Sequence, residues 1–454
     1  MSSLAVWMNG QRVGTWIASK SEISEFIYDK EWIASEFFRP LSLSIPVTAD
    51  LTVRGTNVTN YFDNLLPDNR DIRKRLSARF KVRADTFDLL AAIGRDCVGA
   101  VQLLPVDAVP KGWNKIQVTA LNDAQVAAHL RNVVTPTSVF GGSEEQDDFR
   151  ISIAGAQEKS AFLSMGGKWF RPEGVTPTTH ILKLPMGIIA GGLDFKHSVE
   201  NEWLCAQFLQ AIGLKVANTR IENFEDQTVL VVERFDRRWI GVPLEEVNKK
   251  NFAPGKSVQL VRLPQEDFCQ SFGLPLEKKY EKDGGPSMTQ CLQLLSGSEQ
   301  SAIDRSHFVL TQFVFWLLAA PDGHAKNFSI QHCVGGRYHL TPLYDVLSAW
   351  SLIGKGANLK QYEKMSLAMA LRSKNAHYRL NSIQSRHWSD LVQSLGIEGL
   401  WERLIEIAER APGTFASIER KLPKNFPENV YVAISKGIAQ HSKYFLNGIK
   451  QLKA

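Results

Sequence analysis

An α+β fold is predicted, in which a strand-rich first half is followed by a helix-rich second half. Three observations predict it. Asn-Gly and Gly-Gly turns flanked by apolar/polar alternation recur in the first half, the signature of hairpins. From about Pro264 onward the apolar residues return mainly at helical spacing, interrupted by one further hairpin around Gly335-Gly336. A length of 454 residues allows two or three domains with at least one large buried core.

The opening LAVWMN, Asn9-Gly10 and QRVGTWIA read as a tight hairpin and begin a small β-rich module. Helical patterns follow at 58–79 and 85–95, with Pro67 dividing the first. A Pro/Gly-containing stretch with one short helix and then GGSEEQDD marks a boundary near residue 148. The strands FRISIAGAQ, SAFLSM, KWFRP and THILKLP come next. Val199, Trp203, Leu204, Phe208 and Leu209 then recur as one helical stripe that stops at Gly213. Strands resume at VANTRIENF and TVLVVERFD, and 239–258 reads as an exposed insertion or long loop. The segments are drawn as 1–110 (β-rich subdomain), 111–148 (linker with a short helix), 149–260 (strands) and 261–454 (helical).

Composition excludes several classes. At 44% hydrophobic and 22% charged the chain is globular rather than disordered. Its most apolar stretch, FVFWLLAA ending at Ala320, is far short of the roughly 18 to 20 residues a bilayer span needs. The first residues lack the basic and apolar regions of a secretory signal, so a cytoplasmic location is expected. Five scattered cysteines without a CxxC pair read as reduced thiols, and His324, His332, Cys333 and His339 match no zinc spacing. No GxSxG elbow is present, and acyl transfer has no support. The net charge of +6 is too small to imply nucleic acid, but the positive charge gathers near the carboxyl end. Residues 351–390 hold Lys355, Lys360, Lys364, Arg372, Lys374, Arg379 and Arg386 against Glu363 and Asp390, which suits either a phosphate-facing patch or a solvated basic face.

The chemistry concentrates in APDGHAKNF and LTPLYDVLSAW. Asp322 and Asn327 stand five positions apart, and Asp345 follows across the hairpin. Phosphoryl transfer of the kinase type needs a carboxylate to orient the attacking hydroxyl, an amide oxygen for Mg2+, and a second carboxylate to close the metal site. The three residues match those roles in order. Taken singly, each could be a turn or helix cap. Two carboxylates and an amide leave a Mg2+ shell incomplete, and nucleotide phosphate would fill it. Lys183, inside the apolar strand THILKLP, is the candidate phosphate cation, although an outward position on an edge strand fits the same pattern. Glu200 or Glu202 on the following helix could pair with it. Ala154, Gly155 and Ala156 form a small-residue turn suited to close approach of backbone N–H groups to a phosphate, with Lys159 nearby. In VVERFDRRW, Glu233 and Phe235 stand where a hinge would meet a nucleobase, or where a strand ends in surface charges.

Together, YFDNLLPDNRDIR, FRISIAGAQEK, TPTTHILKLP, VERFDRRW, LVRLPQEDFCQ, PDGHAKNF and LTPLYDVLSA resemble the HipA toxin kinases of bacterial type II toxin–antitoxin systems, over nearly the whole chain. The resemblance implies a two-lobed fold related to protein and phosphatidylinositol kinases, with 149–260 as the N-lobe and 261–454 as the C-lobe. It implies a serine/threonine kinase using ATP and Mg2+, acting on glutamyl-tRNA synthetase and causing growth arrest and persistence. The implied partner is a HipB-like helix-turn-helix antitoxin that binds operator DNA, with the C-lobe touching that DNA through Lys374, Arg379 and Arg386. By resemblance Asp322 is the catalytic base, with His324 and Lys326 in the same loop, and Asn327 and Asp345 are the metal ligands. By the same resemblance Ile153, Ala154, Gly155, Ala156, Gln157, Glu158 and Lys159 form the phosphate loop, Lys183 meets the phosphates, and Glu233 and Phe235 meet the base, with Gln265 nearby. Ser152 corresponds to the autophosphorylated serine, where about −1.5 to −2 of added charge would expel the phosphate loop. Two departures are noted: the 239–258 insertion is longer than the pattern expects, and the phosphate loop lacks repeated glycines. A catalytically idle co-repressor acting with the antitoxin on operator DNA is the competing reading.

Overall fold

In the computed structural model, which describes residues 2–19, 23–134, 155, 157–189, 192–356 and 358–452, the chain begins with the hairpin its turn residues specify. Asn9 (φ 45°) and Gly10 (φ 81°) both lie in the left-handed region, the geometry of a two-residue turn that matches strand twist, and Met8 pairs with Gln11 across it. Five antiparallel strands form the first sheet, in the order Thr52–Gly55, Ser24–Tyr28, Gln11–Ala18, Ser2–Met8 and Gln102–Pro105. Its core gathers Trp16, Phe26 and Val13 with Phe62, Leu89, Leu90 and Ile93 from the helices Thr56–Asp63 and Thr86–Ile93. Trp16 stacks on Phe62 with ring centroids 4.1 Å apart. The helical pattern at 58–79 is broken as Pro67 requires: one helix ends at Asp63, and the next, Arg70–Phe80, starts on the Asn69 side chain, which accepts from the Asp71 N–H at 2.8 Å.

Two compact units emerge. The first comprises Met1–Leu184, Glu222–Leu276 and Ser329–Tyr338, and the second Pro185–Ile221, Glu277–Phe328 and His339–Ala454. The first unit therefore also holds a second sheet, whose order through its centre is Gln227–Glu233, His180–Lys183, Lys159–Met165, Lys168–Pro172 and Val118–Leu121. One face, with Phe162, Leu182, Val229 and Val231, packs on Val126, Ala127 and Leu130 of the helix Asp123–Val134. On the other face Leu163 and Met165 meet Val247 and Leu260.

That last contact corrects the reading of 239–258 as an exposed loop. Arg237–Ile240 and Gln259–Arg262 pair as an antiparallel ribbon, and between them the short helix Leu244–Val247 inserts a fully buried Val247. Trp239, Val242, Val247 and Phe252 belong to different local structures, so their apolar side chains show no single period along the sequence.

The second unit is helical, as the periodicity predicts. The helix Ser198–Ala211 is followed by Gly213 at φ 87°, a stop that only a glycine accepts without cost. The helix Ser301–Leu317 is buried on almost every face: Phe313 packs edge-on to Trp388 and Trp316 stacks on His441 at 4.3 Å. Around it lie Ser385–Leu395, Leu400–Ile418 and Glu428–Leu452. A hairpin of Ser366–Arg372 and Ala376–Arg379 interrupts them, where the sequence reading placed none. Leu367 to Leu371 form an unbroken buried run, and such a run carries no period that separates strand from helix. No helix among the described residues is long and apolar enough to cross a membrane.

Candidate active site

The second unit builds an acid-and-amide loop from the end of its buried helix. The helix Ser301–Leu317 closes with the Ala320 N–H donating to the Phe315 carbonyl at 2.8 Å, which requires Ala319 to adopt φ 48°. An alanine in that region is strained by roughly 1 to 2 kcal/mol. Ala319 is held there because its carbonyl accepts from the Ala349 N–H at 3.1 Å and the neighbouring Leu318 carbonyl accepts from Ser348 Oγ at 2.6 Å. Pro321 and Asp322 leave the helix from this pinned end. Gly323 follows because a Cβ there would stand 2.4 Å from the buried Phe315 ring.

Asp322 is exposed, whereas His324, Lys326 and Asn327 are buried. Residues Ala325–Asn327 form one 3-10 turn that folds the loop back, so that Asn327 Nδ2 donates to the Asp322 carbonyl at 2.7 Å. The five-residue spacing thus becomes a direct contact. With the Asn327 NH2 committed to that carbonyl, its Oδ1 remains as the hard oxygen donor a cation would use. Tyr280, which the sequence reading did not single out, donates its hydroxyl to Asp322 Oδ1 at 2.6 Å, and its ring packs edge-on against His324 at 4.8 Å. A second unrecognised residue, Tyr344, donates to the Lys326 carbonyl at 2.9 Å. Tyr280 lies far from the loop in sequence and no local pattern announces it, whereas Tyr344 stands next to Asp345 in the LTPLYDVLSAW segment.

Tyr344 also brings its neighbour Asp345 into the same neighbourhood. Asp345 holds φ 60°, a left-handed conformation that Asp tolerates better than most residues. The segment is fixed on both sides: Leu343 exchanges backbone hydrogen bonds with Lys215 and Ala217, and Ser348 exchanges two with the Asn201 side chain at 2.8 Å each. Glu202, next along the same helix, is buried, while Glu200 lies 3.9 Å from His197 Nδ1.

In the first unit, Lys183 is buried at 6% exposure and stands in direct register with Lys159 on the adjacent strand. Both side chains occupy one face of the sheet. Two cations directly opposite one another in a sheet set a local preference for anionic groups on that face. Gly155, at φ 112°, lies so close that a Cβ would sit 2.5 Å from Lys159 Nζ. The adjoining residues are anchored to the amino-terminal subdomain, where the Asp68 N–H donates to the Gly155 carbonyl at 3.0 Å and Arg75 pairs with Glu158. Gln157 donates to the Leu184 carbonyl. Ser152, Ile153, Ala154 and Ala156 lie outside the described residues.

Glu233 pairs with His180, and Leu230 with Lys183, so alternation puts the Glu233 carboxylate on the face opposite the two lysines. Residue 233 can offer its backbone, not its side chain, to a ligand on the lysine face. A cavity of about 320 Å³ at the end of this strand is lined by residues that include Ser164, His180, Glu233, Arg234, Arg237 and Trp239, and neither lysine is among them. Phe235 is half-buried in the turn that follows. Gln265 is buried on the strand Gln265–Asp267 and donates to Ser329 Oγ at 3.2 Å. Of the histidines grouped by sequence, His332 bonds Glu266 at 2.9 Å and His339 bonds Glu299 at 3.0 Å. Lys374, Arg379 and Arg386 are all exposed, in the turn of the late hairpin, at its end, and in the first turn of the helix Ser385–Leu395.

Comparison with known proteins adds three findings. The family model for the HipA-like C-terminal domain matches residues 151–418, and that for the HipA N-terminal domain matches 4–104. The protein Y4mE of Sinorhizobium fredii is 30% identical over 398 residues, covering 87% of this chain and 86% of that protein. The serine/threonine-protein kinase toxin HipA of Shewanella oneidensis is 27% identical over 412 residues, with 87% and 84% covered. Among solved structures, the Shewanella oneidensis complex of HipA, HipB and operator DNA contains a chain that superposes with a TM-score of 0.77 at 23% identity, covering 99% of this chain and 98% of that one. The fold is the same.

Proposed function

The chain belongs to the HipA family, and from that premise we propose that it is a serine/threonine protein kinase toxin that uses ATP and Mg2+ and is neutralised by a HipB-like antitoxin. The observation that carries the reading is the Asn327–Asp322 hydrogen bond, which gathers an exposed carboxylate and an oriented amide into one turn. In this reading Asp322, steadied through Oδ1 by Tyr280, accepts the proton of the attacking serine or threonine hydroxyl. Asn327 Oδ1 and Asp345 hold the metal, which supplies charge neutralisation at the transferred phosphate. Lys183 and Lys159 hold nucleotide phosphates, and the backbone at Glu233–Phe235 with Gln265 receives the base. Phosphorylation of Ser152 inactivates the kinase by adding negative charge to the phosphate-loop segment that precedes Lys159 in sequence. Glutamyl-tRNA synthetase is the proposed substrate, and arrest of growth the consequence.

The test is transfer from labelled ATP, with and without Mg2+, to the chain itself and to glutamyl-tRNA synthetase. Label on either that requires Mg2+ and vanishes in Asp322→Ala supports the reading, and absence of transfer by the parent chain sinks it. A second reading, a co-repressor that enlarges an antitoxin–operator complex, draws on the exposed Lys374, Arg379 and Arg386. Expression of Asp322→Ala separates the two: undiminished growth inhibition removes catalysis as its source, whereas lost inhibition with operator binding retained limits the co-repressor role to a second activity.

A further inference from the structure

VERFDRRW alternates in a way the kinase reading leaves unused. Glu233 and Phe235 are partly exposed, but Arg234, Asp236 and Arg237 point inward and are almost fully buried. They meet Asp96, which comes from the amino-terminal subdomain, and Arg262, which comes from the ribbon. The Asp96 carboxylate accepts from Arg237 Nη2 at 2.9 Å, Arg262 Nε at 3.0 Å, Arg234 Nη1 at 3.3 Å and Thr178 Oγ1 at 2.7 Å. Asp236 accepts from Arg234 Nη2 at 2.8 Å and from the Gly99 N–H at 2.7 Å. The remaining guanidinium hydrogens reach the carbonyls of Cys97, Gly99, Thr178 and Val175. Burial alone would raise the Asp96 pKa, but the fields of Arg237, Arg262 and Arg234 outweigh it and hold the carboxyl well below the usual range.

Three buried guanidinium groups around two carboxylates are a costly way to fill a core. A hydrophobic cluster of similar volume would often be as stable or more so. What the polar cluster supplies is direction, since each arginine fork accepts only one arrangement of its partners. The same turn presses on a second site residue: Gly99, at φ 75°, approaches the Gln265 backbone so closely that a Cβ would lie 2.7 Å from its carbonyl oxygen. At the other end Asn9, from the first hairpin, exchanges hydrogen bonds of 2.8 and 2.9 Å with the Arg262 backbone.

We propose that the Asp96–Gly99 turn of the amino-terminal subdomain is a positioning element of the nucleotide site, fixing the Glu233–Phe235 backbone and Gln265 so that nucleotide affinity depends on this subdomain. The inference rests on the kinase reading and extends it to a part of the chain that carries none of the catalytic residues. Asp96, Arg234, Asp236, Arg237 and Arg262 act through the backbone they hold, not on the ligand.

The experiment measures Mg-ATP binding by calorimetry, together with amide exchange at 233–237, for the parent and three full-length variants. Thr178→Val removes one hydroxyl that both donates to Asp96 and accepts from Arg234. Asp96→Asn removes the central charge, and Phe415→Leu destabilises the core of the second unit as a control for general loosening. The expected result is a dissociation constant raised about tenfold in Thr178→Val, and more in Asp96→Asn, with faster exchange at the hinge and unchanged affinity in Phe415→Leu. If Asp96→Asn does not fold, Thr178→Val decides alone. Parent-like affinity in folded Thr178→Val, or an equal loss in Phe415→Leu, overturns the inference while leaving the kinase reading intact. A parent chain that fails to bind Mg-ATP overturns both.

Discussion

Acid should loosen the second unit through His441. This side chain is buried between two partners: Nδ1 lies 2.7 Å from the Trp316 carbonyl, which can only accept, so Nδ1 carries the proton. Nε2, 2.7 Å from the Tyr362 hydroxyl, is then the acceptor. Burial pushes the phenol of Tyr362 up to about 12, which keeps it a donor throughout. The same burial lowers His441 from 6.5 to about 4. Because the folded pKa lies below the unfolded one, the unfolded chain takes up the proton first. The contribution of neutral His441 is complete above about pH 6.5 and is lost as pH falls toward about 4. At 1.36 kcal/mol per unit this amounts to about 3 kcal/mol, a large part of a typical domain stability. Burial depresses His129, His307 and His387 to about 4 as well, so the parent's acid sensitivity is collective and a difference measurement is needed. In urea titrations between pH 7.5 and 4, His441→Asn should be the less stable protein at neutral pH. Its deficit relative to the parent should shrink by about 3 kcal/mol across the window. Parallel curves for parent and variant would refute the assignment of a buried neutral imidazole.

Two further outcomes follow from the loop geometry. Tyr280→Phe removes a hydrogen bond to an exposed carboxylate, and it should lower the rate of phosphoryl transfer about tenfold with little change in the KM for ATP. A change confined to KM would contradict a role at Asp322. Gly323→Ala places a Cβ 2.4 Å from Phe315, and the overpacking should cost about 1 to 3 kcal/mol, read as a lower urea midpoint. A parent-like midpoint would show that the loop can move aside.

Much of the fold was legible because local chemistry left little choice. Asn9-Gly10 favours a tight turn, Pro67 could not continue a helix, and the apolar residues from Val199 to Leu209 recur at helical spacing. The ribbon at 237–262 and the hairpin at 366–379 were not legible, since their apolar residues are buried by distant partners and show no local period. In the candidate site, the contact of Asp322 with Asn327 was legible because a short loop fixes their separation. Tyr280 was not singled out because only folding carries it to the loop, and Tyr344, although beside Asp345, shows its contact with the loop only in the fold. Glu233 was recognised in the sequence, but strand pairing alone revealed that its carboxylate faces away from Lys183.

The sequence by itself determined the succession of strands and helices, the identity of the acid-and-amide loop, and the family pattern, all of which reside in contiguous residues whose backbone preferences act within a few positions. Only the tertiary structure decided that Lys159 and Lys183 stand side by side, that a tyrosine from outside the loop holds the Asp322 carboxylate, and that Asp96 organises three arginines drawn from two other segments. The reason is physical: register and buried charge are set by partners far away along the chain, and their energies exist only once water has been excluded between them.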